Sequence, residues 1–179
     1  MISIIIPVFN EAKNIEPLAK KIKVSLKNYN YEVIFINDGS FDDTEKNIKK
    51  TIKINNNFSC LNFKRNYGQT AALQAGFDFA SGKIIVAMDG DLQNDPADIP
   101  KLLKKMEEGY DVVSGWRKNR KDNSFSRVIP SMIANYIISK ISGVSLHDYG
   151  CTLKAYKKDT IKDIKLFGEM HRFIPIYAC

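Results

Sequence analysis

Apolar residues in this chain gather in short, nearly unbroken runs, and each run is closed by a polar cluster. Ser3 to Ile6, Tyr31 to Ile36, Phe58 to Phe63, Ile84 to Met88 and Asp111 to Ser114 predict strands. Between them the spacing becomes helical. Ile15, Leu18, Ala19, Ile22 and Leu26 form one apolar stripe, with Lys20, Lys21, Lys23 and Lys27 mostly off it. Ile48 and Ile52 mark the inner face of a second helix, which Asp42, Asp43 or Thr44 could cap. Thr70 to Ala80, rich in Ala, Leu and Phe, predicts a buried helix. A fourth helix runs from about Pro96 to Glu108, where proline suits the first turn and Gly109 the stop. This alternation predicts an α/β fold: a mostly parallel central sheet with helices on both faces.

The polar clusters fall where the strands end: Asn10-Glu11, Asn37-Asp38-Gly39-Ser40, Lys64-Arg65-Asn66, Asp89-Gly90-Asp91 and Gly115-Trp116-Arg117. In open α/β sheets ligands bind outside the carboxyl ends of the strands, so this rim is the predicted site. Asp89 and Asp91 give the sharpest signal. In extended backbone, residues i and i+2 point the same way. Two carboxylates then converge just past a buried strand, and a hard divalent cation with oxygen ligands would resolve their repulsion. Taken alone, the motif reads first as a turn, because Asp-Gly is a strong turn signal; the polar ends of the other strands favour the site.

Past Arg117 the character changes. Residues 117–127 are a basic, polar stretch, compatible with a solvated loop or with an anion-binding lid. Ser131 to Ile141 predicts a helix whose apolar stripe is either core or a surface laid on a membrane. His147 to Thr152 precedes a strand ending near Tyr156, and Ile161, Ile164 and Leu166 finish a short helix and its exit. At 179 residues the chain suits one domain with a real core. Its formal charge of +7 permits an anionic partner, although a solvated lysine-rich face explains it as well. Nucleic-acid binding would rest on that charge alone and is not expected. Three cysteines without C-x-x-C spacing predict neither structural disulfides nor zinc. No signal peptide is expected from the first residues, and no run approaches the ~20 apolar residues of a membrane span. The first strand is not followed by G-x-G-x-x-G, which argues against a dinucleotide site.

Pro7-x-x-Asn10-Glu11, Asn37-Asp38-Gly39-Ser40-x-Asp42-x-Thr44 and Asn66-x-Gly68-Gln69 resemble the family-2 glycosyltransferases of GT-A fold. Asp89-x-Asp91-Leu92-Gln93-x-x-Pro96, Asp148-x-Gly150-Cys151 and the tail Glu169-x-His171-Arg172-Phe173-Ile174-Pro175 look like the polyprenyl-phosphate branch, the dolichyl-phosphate mannose synthases and bactoprenol glucosyltransferases. The resemblance implies one GT-A catalytic domain over residues 1–179, ending short of the further soluble segment and membrane helices with which that branch continues. It implies an inverting hexosyltransferase that moves a sugar from a UDP- or GDP-sugar to undecaprenyl or dolichyl phosphate. Mg²⁺ or Mn²⁺ would be the cofactor, and the cytoplasmic face of a membrane the place of work. A homo-oligomer is compatible with this reading.

Residue by residue, the resemblance places Pro7, Phe9 and Glu11 around the base and ribose, with Asp38 beside them. Helix capping is the alternative role for Glu11 and Asp38. Gln69 joins the substrate-binding set. Asp89 would lie on the sugar and ribose side, Asp91 on the metal and Gln93 next to it, so the metal set is Asp89, Asp91 and Gln93. Arg117, Arg120, Arg127 and Arg172 are candidates for the phosphates, Arg117 and Arg127 foremost for the diphosphate and acceptor phosphate, since arginine's planar fork suits bidentate binding. Asp91, Arg117 and Asp148 form the implied catalytic set. Asp148 would orient the acceptor or act as a base toward a hydroxyl, or is a turn residue before Gly150. A lipid monophosphate is already anionic at neutral pH, with a second pKa of ~6, and needs no base. The competing readings are a family-2 transferase acting on a sugar hydroxyl and a non-catalytic nucleotide-sugar-binding module.

Overall fold

Strands β1 (Ile2–Val8), β2 (Tyr31–Asn37), β3 (Phe58–Asn62) and β4 (Ile84–Ala87) lie parallel in the order β3-β2-β1-β4. They belong to a computed structural model that describes residues 1–116, 140, 148 and 150–178. Parallel neighbours need a crossover connection, and each one here is a helix: α1 (Ile15–Ser25), α2 (Thr44–Lys53) and α3 (Gln69–Phe79). After β4 comes a 3₁₀ turn at Pro96–Asp98, capped by the Asp95 carboxylate, which accepts the Ala97 N–H at 3.1 Å. It leads into α4 (Ile99–Glu107) and β5 (Val112–Ser114). β6 (Lys154–Lys157) closes the account of the sheet, six strands among the described residues in the order β3-β2-β1-β4-β6-β5. β6 runs antiparallel to both β4 and β5. The mostly parallel expectation therefore holds, with one antiparallel strand inserted before the edge.

The strands read as continuous apolar runs because both faces are covered. On one face Ile4, Ile6, Val33, Phe35 and Val86 pack against Ile15, Leu18 and Ile22 of α1, Ile48 of α2 and Leu102 and Leu103 of α4. On the other, Ile5, Ile34, Ile36 and Ile85 meet Ala72, Leu73 and Phe77 of α3 and Ile161 of a one-turn helix at Lys158–Ile161. Burying a side chain of this size is worth about 1.5–3 kcal/mol each, so alternate residues of β1 stabilise opposite layers of the molecule. Contact on the α3 face is close: a Cβ on Gly76 would lie 2.4 Å from Ile5 Cγ2. The chain ends in a 3₁₀ turn at Met170–Phe173 and a helical turn at Ile174–Tyr177. Among the described residues, no helix is long and apolar enough to cross a membrane. The basic stretch 117–127 and the helix predicted over 131–141 fall outside the described residues, apart from Lys140.

Candidate functional site

β1 and β2 leave the sheet side by side, and hydrogen bonds tie their exits together. Asn10 takes the left-handed region at φ 57° and donates its N–H to Ser40 Oγ at 2.9 Å. Phe41 returns its N–H to Asn10 Oδ1 at 3.0 Å, which sets the Phe41 ring edge-on to Phe9. Glu11 donates its N–H to Thr44 Oγ1, and its carboxylate accepts from Asn14 Nδ2 just ahead of α1. Asp38, only 4% exposed, accepts the N–H groups of Tyr67 at 2.7 Å and Gly68 at 2.9 Å. Those amides lie in the turn just before α3, so the carboxylate braces the approach to a neighbouring helix. Gly39 is indispensable to this crossing. It sits at φ 69°, and a Cβ there would be 2.3 Å from the Arg65 carbonyl carbon.

β4 delivers the paired aspartates. A Cβ on Gly90 would meet Val8 Cγ1 at 2.6 Å, so the missing side chain of Gly90 lets β4's exit press onto β1. Asp89 and Asp91, on either side of it, line one cleft of about 280 Å³. Pro7, Phe9, Glu11, Asp38 and Gln69 line the same cleft. Seven of the predicted residues, from four strand exits, are thus brought together. Gln69 Nε2 donates to Asp89 Oδ1 at 2.8 Å, and Asp91 Oδ1 accepts the Gln93 N–H at 3.0 Å.

Other expectations are placed differently. Leu92 adopts φ 64° and turns the chain, so Gln93 does not continue the i, i+2 alternation. Gln93 lines a separate cleft of about 560 Å³ beside Trp116 and Leu153, and its backbone N–H donates to Asp91. Asp148 is buried and accepts the Gly150 N–H at 3.0 Å, the turn arrangement. Arg117, Arg120 and Arg127 lie outside the described residues.

A second chamber, of about 250 Å³, adjoins the first through the Gln69–Asp89 pair. Arg172 lines it, as do Thr152, Lys154 and Tyr156 from β6 and its approach, and His171 from the terminal turn. Lys154 is 3% exposed and donates to the Cys151 carbonyl. His171 is buried with Nδ1 at 2.6 Å from Thr70 Oγ1. Burial pushes its pKa below the ordinary histidine value; Glu169 acts in the opposite sense, while Arg172 and Lys154 add to the fall. The strand-end argument named none of these residues, and Arg172 came only with the family resemblance. β6 is antiparallel, so it brings its beginning to the rim where the parallel strands bring their ends. The tail motif drew attention to His171 but gave it no role.

Among the described residues, no three His, Cys, Asp or Glu side chains are grouped to hold a metal unaided. Asp89 and Asp91 nevertheless fit one kind of ion. Mg²⁺ and its hard relatives are commonly held by one or two carboxylates together with substrate phosphates, and this cleft supplies two carboxylates and open space.

Comparison with known proteins agrees with this geometry. The Glycosyl transferase family 2 model matches residues 3–165. A dodecaprenyl-phosphate galacturonate synthase from Rhizobium johnstonii is 48% identical over 99% of this chain and 54% of its own length. An undecaprenyl-phosphate 4-deoxy-4-formamido-L-arabinose transferase from Proteus mirabilis is 40% identical over 99% of this chain and 55% of its own. The chain therefore spans about half the length of these curated relatives. Glucosyl-3-phosphoglycerate synthase from Mycobacterium tuberculosis, solved with Mn²⁺, uridine diphosphate and glucosyl-3-phosphoglycerate, superposes with a TM-score of 0.72 at 20% identity, over 92% of this chain and 59% of that one. The sheet is accordingly the GT-A sheet expected from the sequence. With the family match covering nearly the whole chain and close relatives agreeing, the chain belongs to glycosyl transferase family 2.

Proposed function

We propose that this chain is the catalytic part of an inverting, metal-dependent glycosyltransferase that moves a sugar from a nucleotide-diphosphate sugar to a polyprenyl phosphate. One observation carries the reading: Glu11 and Asp38 share a cleft with Asp89 and Asp91 at the carboxyl rim of the sheet. Pro7, Phe9, Glu11 and Asp38 form the nucleoside end, and Asp91 with Asp89 the diphosphate end. A divalent cation held there would act as a Lewis acid on the leaving diphosphate. The names of both relatives, each a transferase or synthase acting on a polyprenyl phosphate, support the acceptor class. Their sugars differ, one an acid and the other neutral, so the names leave the sugar open.

The residues present suit an acceptor that arrives already ionised. The phosphate oxygen attacks the anomeric carbon opposite the departing diphosphate, which inverts that centre. The protein's task is then to hold two anionic groups together, and cationic side chains do this. Arg172 at the second chamber takes part, joined by Arg117 and Arg127 from the basic stretch. Asp148 contributes by shaping the turn that presents Gly150 and Thr152. Attachment to the acceptor's membrane would be peripheral for this part of the protein.

Binding tests this directly. UDP- and GDP-sugars are added with and without Mn²⁺ while thermal unfolding is followed. At 100 times its Kd a donor stabilises by about 2.7 kcal/mol, which raises Tm by roughly 5–10 °C for a domain of this size. The rise should need Mn²⁺ and vanish in Asp91→Ala. A Mn²⁺-independent rise, or one unchanged in that variant, refutes the metal role of the aspartate pair.

A further inference from the structure

We propose that His171 binds the donor sugar: its Nε2 accepts a hydrogen bond from a sugar hydroxyl, and the Tyr156 hydroxyl donates one to the same sugar. The inference rests on the donor reading given above. A donor laid along the first cleft, with its base at Asp38 and its diphosphate at Asp91, extends past Asp89. Gln69 and Asp89 line both the first cleft and the second chamber, so the chamber is where the sugar arrives. At about 250 Å³ it has room for one ring, and Leu73, Ala87 and Met88 give that ring an apolar wall.

Proton positions choose the ligand's chemistry. Most polar groups of the chamber are already engaged. Gln69 donates to Asp89, Thr152 Oγ1 accepts from Asn94 Nδ2, Lys154 donates to the Cys151 carbonyl, and Arg172 pairs with Glu169 at 3.5 Å. Two atoms stand apart. The Tyr156 hydroxyl and His171 Nε2 have no hydrogen-bond partner among the described residues, although Tyr156 is 1% exposed and His171 9%. No side-chain nitrogen or oxygen sealed from solvent among those residues lacks a partner. Both atoms therefore open onto the chamber that their residues line. The Thr70 hydroxyl gives its one proton to the Gly168 carbonyl and so accepts from His171 Nδ1. That places the ring proton on Nδ1 and a bare lone pair on Nε2. Burial, which lowers the pKa of His171, favours this neutral form. A lone pair needs a partner that brings a proton. The oxygens of an ionised phosphate or carboxylate bring none, whereas a sugar hydroxyl does. Burial raises the pKa of Tyr156, so its phenol stays protonated and supplies the complementary donor.

Titration calorimetry with Mn²⁺ compares UDP-glucose, UDP-galactose and GDP-mannose with UDP and GDP, in the wild type and three variants. His171→Asn keeps an N–H for Thr70 but leaves nothing where Nε2 stood. His171→Gln reverses this, giving up the Thr70 contact and carrying an amide oxygen to the Nε2 position. The asparagine should weaken the best-bound nucleotide sugar by about fivefold or more, the cost of one lost hydrogen bond. The matching nucleoside diphosphate should stay within about twofold, and the glutamine should retain most of the sugar's affinity. Tyr156→Phe, which keeps the ring against Phe77, should weaken the same nucleotide sugar by about threefold and spare the nucleoside diphosphate. If His171 only braces Thr70, the order reverses, with glutamine harmful and asparagine harmless, and the proposal is overturned. Equal losses for sugar and nucleoside diphosphate overturn it too, as does no change in any variant, or a wild type that holds the nucleoside diphosphates but none of the sugars. Should His171→Gln not fold, the asparagine and phenylalanine variants decide the matter. If the variants weaken a short-chain polyprenyl monophosphate and not the nucleotide sugar, the chamber belongs to the acceptor, and the proposal fails while the donor reading stands. Should neither nucleotide sugars nor nucleoside diphosphates bind the wild type, the donor reading itself falls and the inference with it.

Discussion

At Thr70 one hydroxyl proton decides the state of a histidine. Thr70 Oγ1 donates to the Gly168 carbonyl, which can only accept. Its single proton is therefore used, and toward His171 the same oxygen must accept. The neutral ring then carries its proton on Nδ1 and leaves Nε2 as an acceptor. Burial lowers the pKa of His171, so below the ordinary value of 6.5 the unfolded chain takes up a proton before the folded one does. Stability should rise with pH through that window and be lost as pH falls from 6.5 through the folded value. Denaturant unfolding at pH 7.5 and pH 5 measures the loss. His171→Asn, which keeps an N–H for Thr70, should show a smaller one. An equal loss in both proteins would remove His171 as its source. Legibility also differed residue by residue. Asp89 and Asp91 could be read because the neighbouring strands also end in polar clusters, which moves the motif from a turn to a site. Gln93 departed because Leu92, at φ 64°, breaks the two-residue spacing. Lys154 was hidden among apolar neighbours, where a lysine reads as the solvated side of a strand; here it is 3% exposed.

The helices and strands show why most of the fold could be read and one element could not. β1 to β4 each carry an apolar run, and the helices between them carry spacings that admit one period, so the parallel core follows from the pattern. Pairing is a longer-range matter. β5 and β6 are short, and nothing in three or four residues says that β6 slots between β4 and β5 in the opposite direction. The α3–β1 contact yields a prediction at this scale. Gly76→Ala places a methyl against the β-branched, fully buried Ile5, which is stiff at χ1 and cannot swing aside. We expect a loss of about 1–3 kcal/mol from overpacking, in spite of alanine's better helix propensity. Urea unfolding reads it, and a neutral or stabilising result would show that α3 can ride away from the sheet.

The molecule as a whole has a structural end and a chemical end. At the amino ends of the strands Glu32 Oε1 accepts from Ser3 Oγ, Ser81 Oγ and the Ser81 N–H, joining β1, β2 and the turn before β4. Burial alone would raise its pKa, but these hydrogen bonds bring it below the ordinary value. That stabilisation is present above the usual glutamate range and is lost as pH falls through the lowered folded pKa. Glu32→Ala should cost about 1–3 kcal/mol at pH 7 by stranding its donors. Donor affinity, measured where the variant is still folded, should not change. A weakened donor would mean that the two ends are coupled through the sheet. At the other end, Pro7 to Asp91 build one wall of the rim, and a later stretch from Gly150 to Arg172 builds the wall beyond Asp89. Under the proposed reading, drift in that later stretch can alter the cargo while the grip on its activated carrier stays as it was. One scaffold could then diversify its product without having to reinvent its handle.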